Sequence, residues 1–172
     1  IGLHKWKQVE LVNLTSDGQL VMIHDATLDR TTDGSGPVRD LTPEARRRLR
    51  LRGPDGRLID ECPPTLDEVL ALLATDPMIE PWVELKSDAE GRPYPGLVEK
   101  AVEAIRAAGL ARRSALHSFN FEVVARVREI APELRRLISV YAPSAEPHGG
   151  LAAVIEKARG LADILGVHDA LF

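Results

Sequence analysis

Cysteine is nearly missing from this chain: Cys62 stands alone among 172 residues, so no internal disulfide can form. That suits a reducing compartment. A basic excess is missing as well. Lys and Arg number 22 against 26 Asp and Glu, a net charge of −4, and with no surplus to neutralise a run of backbone phosphates no nucleic-acid partner is expected. No apolar stretch approaches the roughly 20 residues of a transmembrane helix. The opening residues, IGLHKWKQ, carry no signal-peptide pattern, so a cytoplasmic location is expected. Internal repeats, low-complexity tracts and the CxxC, GxSxG and GxxxxGK patterns are absent too.

What is present reads as one domain, residues 1–172, with 44% hydrophobic content to build a core. Residues 9–15 (VELVNLT) form a strand, Asp17-Gly18 a tight turn, and residues 20–23 a second short strand. Thr42-Pro43 opens a helix, TPEARRRLRLR, whose Arg46, Arg47, Arg48, Arg50 and Arg52 are expected on a solvated face. A capping box at Thr65 and Glu68 starts a helix to residue 74, with Leu66, Val69, Leu70 and Leu73 as its apolar stripe. Strands follow at 81–86, 114–118, 134–141 and 162–167. Helices follow at 97–108, closed by Gly109, at 121–130, capped by Asn120, and at 150–160. Strand and helix alternate, and strands end in polar residues, as in a parallel α/β fold.

The stretch IHDATLDRTTDGSG, residues 23–36, holds the main chemical candidates. A short strand delivers His24 and Asp25 into a long polar loop, which is how a scaffold presents a reactive group. Histidine exchanges protons near neutral pH, and Asp25 can orient its ring. Taken alone, such a pair more often caps a strand end. Arg30 fits two roles equally: contacting a phosphate, or holding Asp29 or Asp33 in place. In PWVELK, Val83 and Leu85 face one way while Glu84 and Lys86 share the other face. Two charges on one face of a central strand of a parallel sheet point to a site at its C-terminal end. His117, at the end of another strand, is a pocket-lining candidate, and His168-Asp169 reads as structural.

Several pieces in order resemble the glycerophosphodiester phosphodiesterase family: LTSDG, IHDATLDRTTDGSGPVRDLT, PPTLDEVLALL, VELKSD and HSFNFEVVARVREIAPELRR. The resemblance implies a TIM-type (β/α) barrel of the phospholipase C-like phosphodiesterase kind, in which a divalent ion and two histidines cleave a glycerophosphodiester to glycerol 3-phosphate and an alcohol. It assigns catalysis to His24 and the metal, Mg²⁺ or Ca²⁺, to Glu84 and Glu10. It gives substrate contacts to Lys86, Asp25, His117 and Ser118.

The chain also departs from the family. The family's His-Arg-Gly strand has no counterpart, and His4, without an Arg-Gly sequel, is read as a tail histidine. Where the family has Glu-x-Asp, Glu10 is followed by Leu11 and Val12, one residue short, so Glu10 is expected on the wrong face unless a bulge restores it. A complete barrel takes about 250 residues, so a partial barrel is expected. Two other readings stay open: a catalytically silent relative that binds a phosphate or polyol through Lys86 and His24, and a barrel enzyme of the phospholipase or sphingomyelinase D kind.

Overall fold

A computed structural model describes residues 6–88 and 91–167, with the backbone alone for residues 6–11. Strand β1 (Trp6–Leu14) meets its turn at Asp17-Gly18, where Gly18 takes φ +83°, a conformation that a side chain at Cβ disfavours. Thr15 closes the turn: its hydroxyl accepts from the Gln19 N–H at 2.9 Å, and its carbonyl accepts from the Gly18 N–H at 2.9 Å. The chain therefore reverses at once, and β2 (Leu20–Met22) lies antiparallel on β1. Every later strand pairs parallel: β3 (Glu80–Leu85), β4 (Ala115–Ser118), β5 (Arg135–Val140) and β6 (Ile164–Val167). The sheet order is β2-β1-β3-β4-β5-β6, and no pairing among the described residues joins its two edges.

Parallel strands need crossovers, and helices supply them on one face. Helices α2 (Leu66–Ala74), α3 (Leu97–Ala107) and α4 (Phe121–Ile130) bury Leu66, Leu70, Ala101, Ile105, Val123 and Val127 against Val12, Val83, Leu85 and Leu116 of the sheet. A second cluster joins Val124 to Val154 of α6 (Leu151–Ala158), with Ile138 and Val140 beneath. The fold is α/β and of the TIM-barrel type, with the expected order of elements.

The start signals act as read. Thr65 accepts from the Glu68 N–H while Glu68 accepts from the Thr65 N–H at 2.7 Å, a complete capping box. Asn120 caps α4 by accepting from Glu122 and Val123. The arginine-rich helix differs. It is short, α1 (Pro43–Arg48), because the following residues are drawn into the loop: Arg50 N donates to Asp33 and Arg52 Nε to the Thr32 carbonyl. Arg46 is not on a solvated face. It is buried and donates to the Pro63 carbonyl at 2.7 Å, with Glu68 3.3 Å away. The expected loop at 143–150 contains a one-turn helix, α5 (Ala142–Ala145). His4 and His168-Asp169 lie outside the described residues.

Candidate active site

The first group of side chains sits where the β1–β2 hairpin comes back. Met22 lies opposite Val12, which in turn pairs with Leu85, so the chain after β2 arrives beside the C-terminal end of β3. Ile23 is buried with Leu28, Val38 and Leu41, an apolar anchor beneath the loop. His24 then points outward, its side chain 56% exposed. Its Nδ1 stands 2.7 Å from Asp25 Oδ1. Arg30 grips the same carboxylate with a fork, Nε to Oδ2 at 2.6 Å and Nη2 to Oδ1 at 2.8 Å. The Arg30 hydrogen bonds, assisted by the one from His24, hold the Asp25 carboxyl down to about 2. A carboxylate charged at all ordinary pH accepts the Nδ1–H, which leaves Nε2 as the ring atom available for proton transfer. Arg30 therefore serves Asp25 rather than Asp29 or Asp33, and Asp33 takes Arg50.

The second group spans β3, β4 and β5. Glu84 pairs in register with His117, and both are buried on the sheet face away from the helices. Lys86 Nζ lies 2.7 Å from Glu84 Oε1, and His117 Nδ1 lies 3.8 Å from Oε2. The other ring nitrogen of His117 is 2.5 Å from the Ser139 hydroxyl. Burial pushes the His117 pKa down; the Glu84 charge opposes this and the Lys86 charge reinforces it. Its imidazole is accordingly neutral at neutral pH. Beyond His117 the rings of Phe119 and Tyr141 follow at centroid spacings of 5.6 and 5.4 Å. They open on a cavity of about 490 Å³, lined also by Ser139, Pro143, Gly166 and Val167.

Ser118 alternates with His117 and faces the other way. It is 1% exposed, donates to the Leu85 carbonyl at 2.8 Å and accepts from the Asn120 N–H at 3.1 Å, so its hydroxyl ties β4 to β3 and to the start of α4.

Glu84 is a buried carboxylate, a group that needs positive charge beside it, and here Lys86 Nζ supplies that charge 2.7 Å from Oε1. Hard cations take six or more oxygens, and among the described residues no three His, Cys, Asp or Glu side chains converge. The side chain of Glu10 lies outside what the structure describes. Its backbone does show a bulge: Val9 pairs with Val83 but Val12 with Leu85, so three steps along β1 match two along β3.

Sequence reasoning did not single out Asn13 and Ser139. Asn13 is 4% exposed in β1, and its amide donates to the carbonyls of Ile23 at 2.8 Å and Asp25 at 3.2 Å. A polar residue alternating with Val12 and Leu14 was a signal that something on that face needed hydrogen bonds. Its partners lie ten and twelve residues away, which alternation does not reveal.

A parallel, helix-backed sheet with its buried charges at the strand ends defines a barrel-type α/β scaffold with a rim site. Residues 4–169 match the model of the Glycerophosphoryl diester phosphodiesterase family, and the chain belongs to that family. It is 38% identical over 125 residues to a glycerophosphodiester phosphodiesterase of Caldanaerobacter subterraneus, covering 72% of this chain and 50% of that protein. A crystal structure from Agrobacterium tumefaciens, provisionally named a glycerophosphoryl diester phosphodiesterase, superposes with a TM-score of 0.79 at 29% identity, over 95% of this chain and 62% of that one. An Oleispira antarctica phosphodiesterase, solved with the product sn-glycerol-3-phosphate, gives 0.73 at 26% identity, over 98% and 65%. The chain thus spans about half the length of the curated relative and under two thirds of the first of these structures.

Proposed function

We propose that this chain carries a metal-assisted phosphodiesterase site that hydrolyses glycerophosphodiesters to glycerol 3-phosphate and an alcohol. Family membership supplies the substrate class, and the observation that carries the reading is the His24-Asp25-Arg30 arrangement. A histidine beside a carboxylate of fixed charge has one nitrogen held and one available, as general acid–base catalysis requires. Lys86, 23% exposed beside buried Glu84, offers an ammonium to a phosphate oxygen. His24 then transfers the proton, either to the departing alcohol or from the attacking group.

Mg²⁺ or Ca²⁺ would be held by Glu84, a buried carboxylate of the kind hard cations take, with Glu10 as the second carboxylate. When bound, such an ion polarises phosphate oxygens. His117 and Phe119 line the wall next to Glu84, with Asp25 acting on substrate only through His24.

Phosphorus NMR of glycerophosphocholine with the 172-residue chain, in Mg²⁺ or Ca²⁺ and in chelator, tests the reading. Metal-dependent appearance of glycerol 3-phosphate is expected; a folded chain that turns nothing over would make it a binding relative. His24→Ala should cost roughly a hundredfold or more in turnover, and a near-normal rate would return His24 to a strand cap. Isothermal titration of Glu84→Gln should show markedly weaker metal binding, and an unchanged isotherm would remove Glu84 from the site.

A further inference from the structure

We infer that Asn13 is a positioning residue for His24, clamping the backbone on both sides of it through the two N–H bonds of one carboxamide. The inference rests on the reading of His24 as the proton-transfer group. His24 lies two residues beyond the end of β2, so among the described residues no ladder partner fixes it, and its side chain is more than half exposed, so packing holds it little. What remains is the backbone, and two of its carbonyls converge on one buried nitrogen. Ile23 and Asp25 flank His24, and Asn13 Nδ2 lies 2.8 Å from the carbonyl oxygen of the first and 3.2 Å from that of the second. A single donor hydrogen serves one carbonyl. An amide NH₂ on a short arm serves both and so sets the bend of the chain between them.

The bend matters because Asp25 must turn its carboxylate back onto the ring of the residue before it, 2.7 Å from Nδ1, while Arg30 reaches the same group from the loop. Beneath, Ile23 and Leu28 anchor the loop in an apolar cluster, and the Val38 N–H donates to the Ala26 carbonyl at 2.9 Å. Between those anchors, at His24 itself, Asn13 supplies the hydrogen bonds to the two flanking carbonyls. Asn13 also ties β1, the strand that carries Glu10, to the loop that carries His24.

The variant that tests this is Asn13→Leu, which keeps the branching at Cγ and loses both N–H groups. With folding checked by thermal melt, kcat for glycerophosphocholine should fall tenfold to a hundredfold, roughly the loss that a displacement near 1 Å causes, while KM stays within about twofold. The loss should vanish in a His24→Ala background, because two residues acting through one group are not additive. An unchanged kcat in the folded variant, or the same loss with and without His24, overturns the inference. Nitrogen-15 spectra of the imidazoles separate this result from the fate of the phosphodiesterase reading. Should the parent chain turn nothing over, that reading fails by itself. A single Nδ1–H tautomer of His24 in the parent that becomes a mixture in Asn13→Leu still supports the clamp, and identical spectra overturn it.

Discussion

Asp25 takes a hydrogen bond from a histidine on one side and a two-pronged grip from Arg30 on the other, and the second partner sets its chemistry. Its carboxyl lies at about 2 against an ordinary 3.8, so it binds a proton less readily folded than unfolded. The stability this contributes is complete above the unfolded value and is lost as pH falls toward the folded one; exposure to solvent keeps it small. Replacing Arg30 by Met should therefore move the onset of acid unfolding upward by a small amount in circular-dichroism titrations. An unshifted profile would mean that Arg30 does not hold Asp25 in solution. At this scale the sequence showed which polar groups stand at strand ends, His24, Asp25, Glu84 and Lys86, because each lies in or just beyond a readable strand. It did not show what Arg30, Asn13 and Ser139 bind, since each choice of partner depends on how the loops close.

Among the elements, α1 and α2 are tied by a single buried guanidinium. Arg46 reaches the Pro63 carbonyl and the side chain of Glu68, whose Oε2 also accepts the Thr65 N–H of the capping box. Removing the cap with Thr65→Ala should cost about 1 kcal/mol. Arg46→Ala should cost more, roughly 2–3 kcal/mol, because it strands a buried carbonyl once served by a charged donor. Urea denaturation of the two variants checks the order, and an Arg46 effect below that of Thr65 would restore the solvated-face reading. Capped helices such as α2 and α4 could be read residue by residue, since their start signals are local. The end of α1 could not be read, because Asp33 and Thr32, seventeen and twenty residues earlier, draw Arg50 and Arg52 out of the helix.

At the scale of the molecule, the sheet formed by the described residues has β2 at one edge and β6 at the other, and all four residues of β6 are only half-buried. An uncovered strand invites pairing with another chain. The 172-residue chain by itself should associate as concentration rises, or unfold at low denaturant. A monomer in sedimentation at every concentration, with a sharp high melt, would contradict both. The order of strands and helices was legible because parallel crossovers leave a strong alternating pattern, and the family motifs fixed the barrel type. Sheet closure was not legible, since it depends on pairings that no single segment encodes.

The bulge in β1 lies at Glu10 and Leu11, between the parallel ladder that ends with Val9 opposite Val83 and the hairpin beginning at Val12. It works as a slip joint. A residue gained or lost at that point is absorbed within the joint, and Val12, Asn13 and everything after them keep their faces. The arm that presents His24 is thus insulated from changes of length in the strand that feeds it, so a variant lacking either Glu10 or Leu11 should fold with its histidine loop undisturbed. Length changes beyond Val12 have no such buffer, and there one residue would turn Asn13 away from the carbonyls it holds.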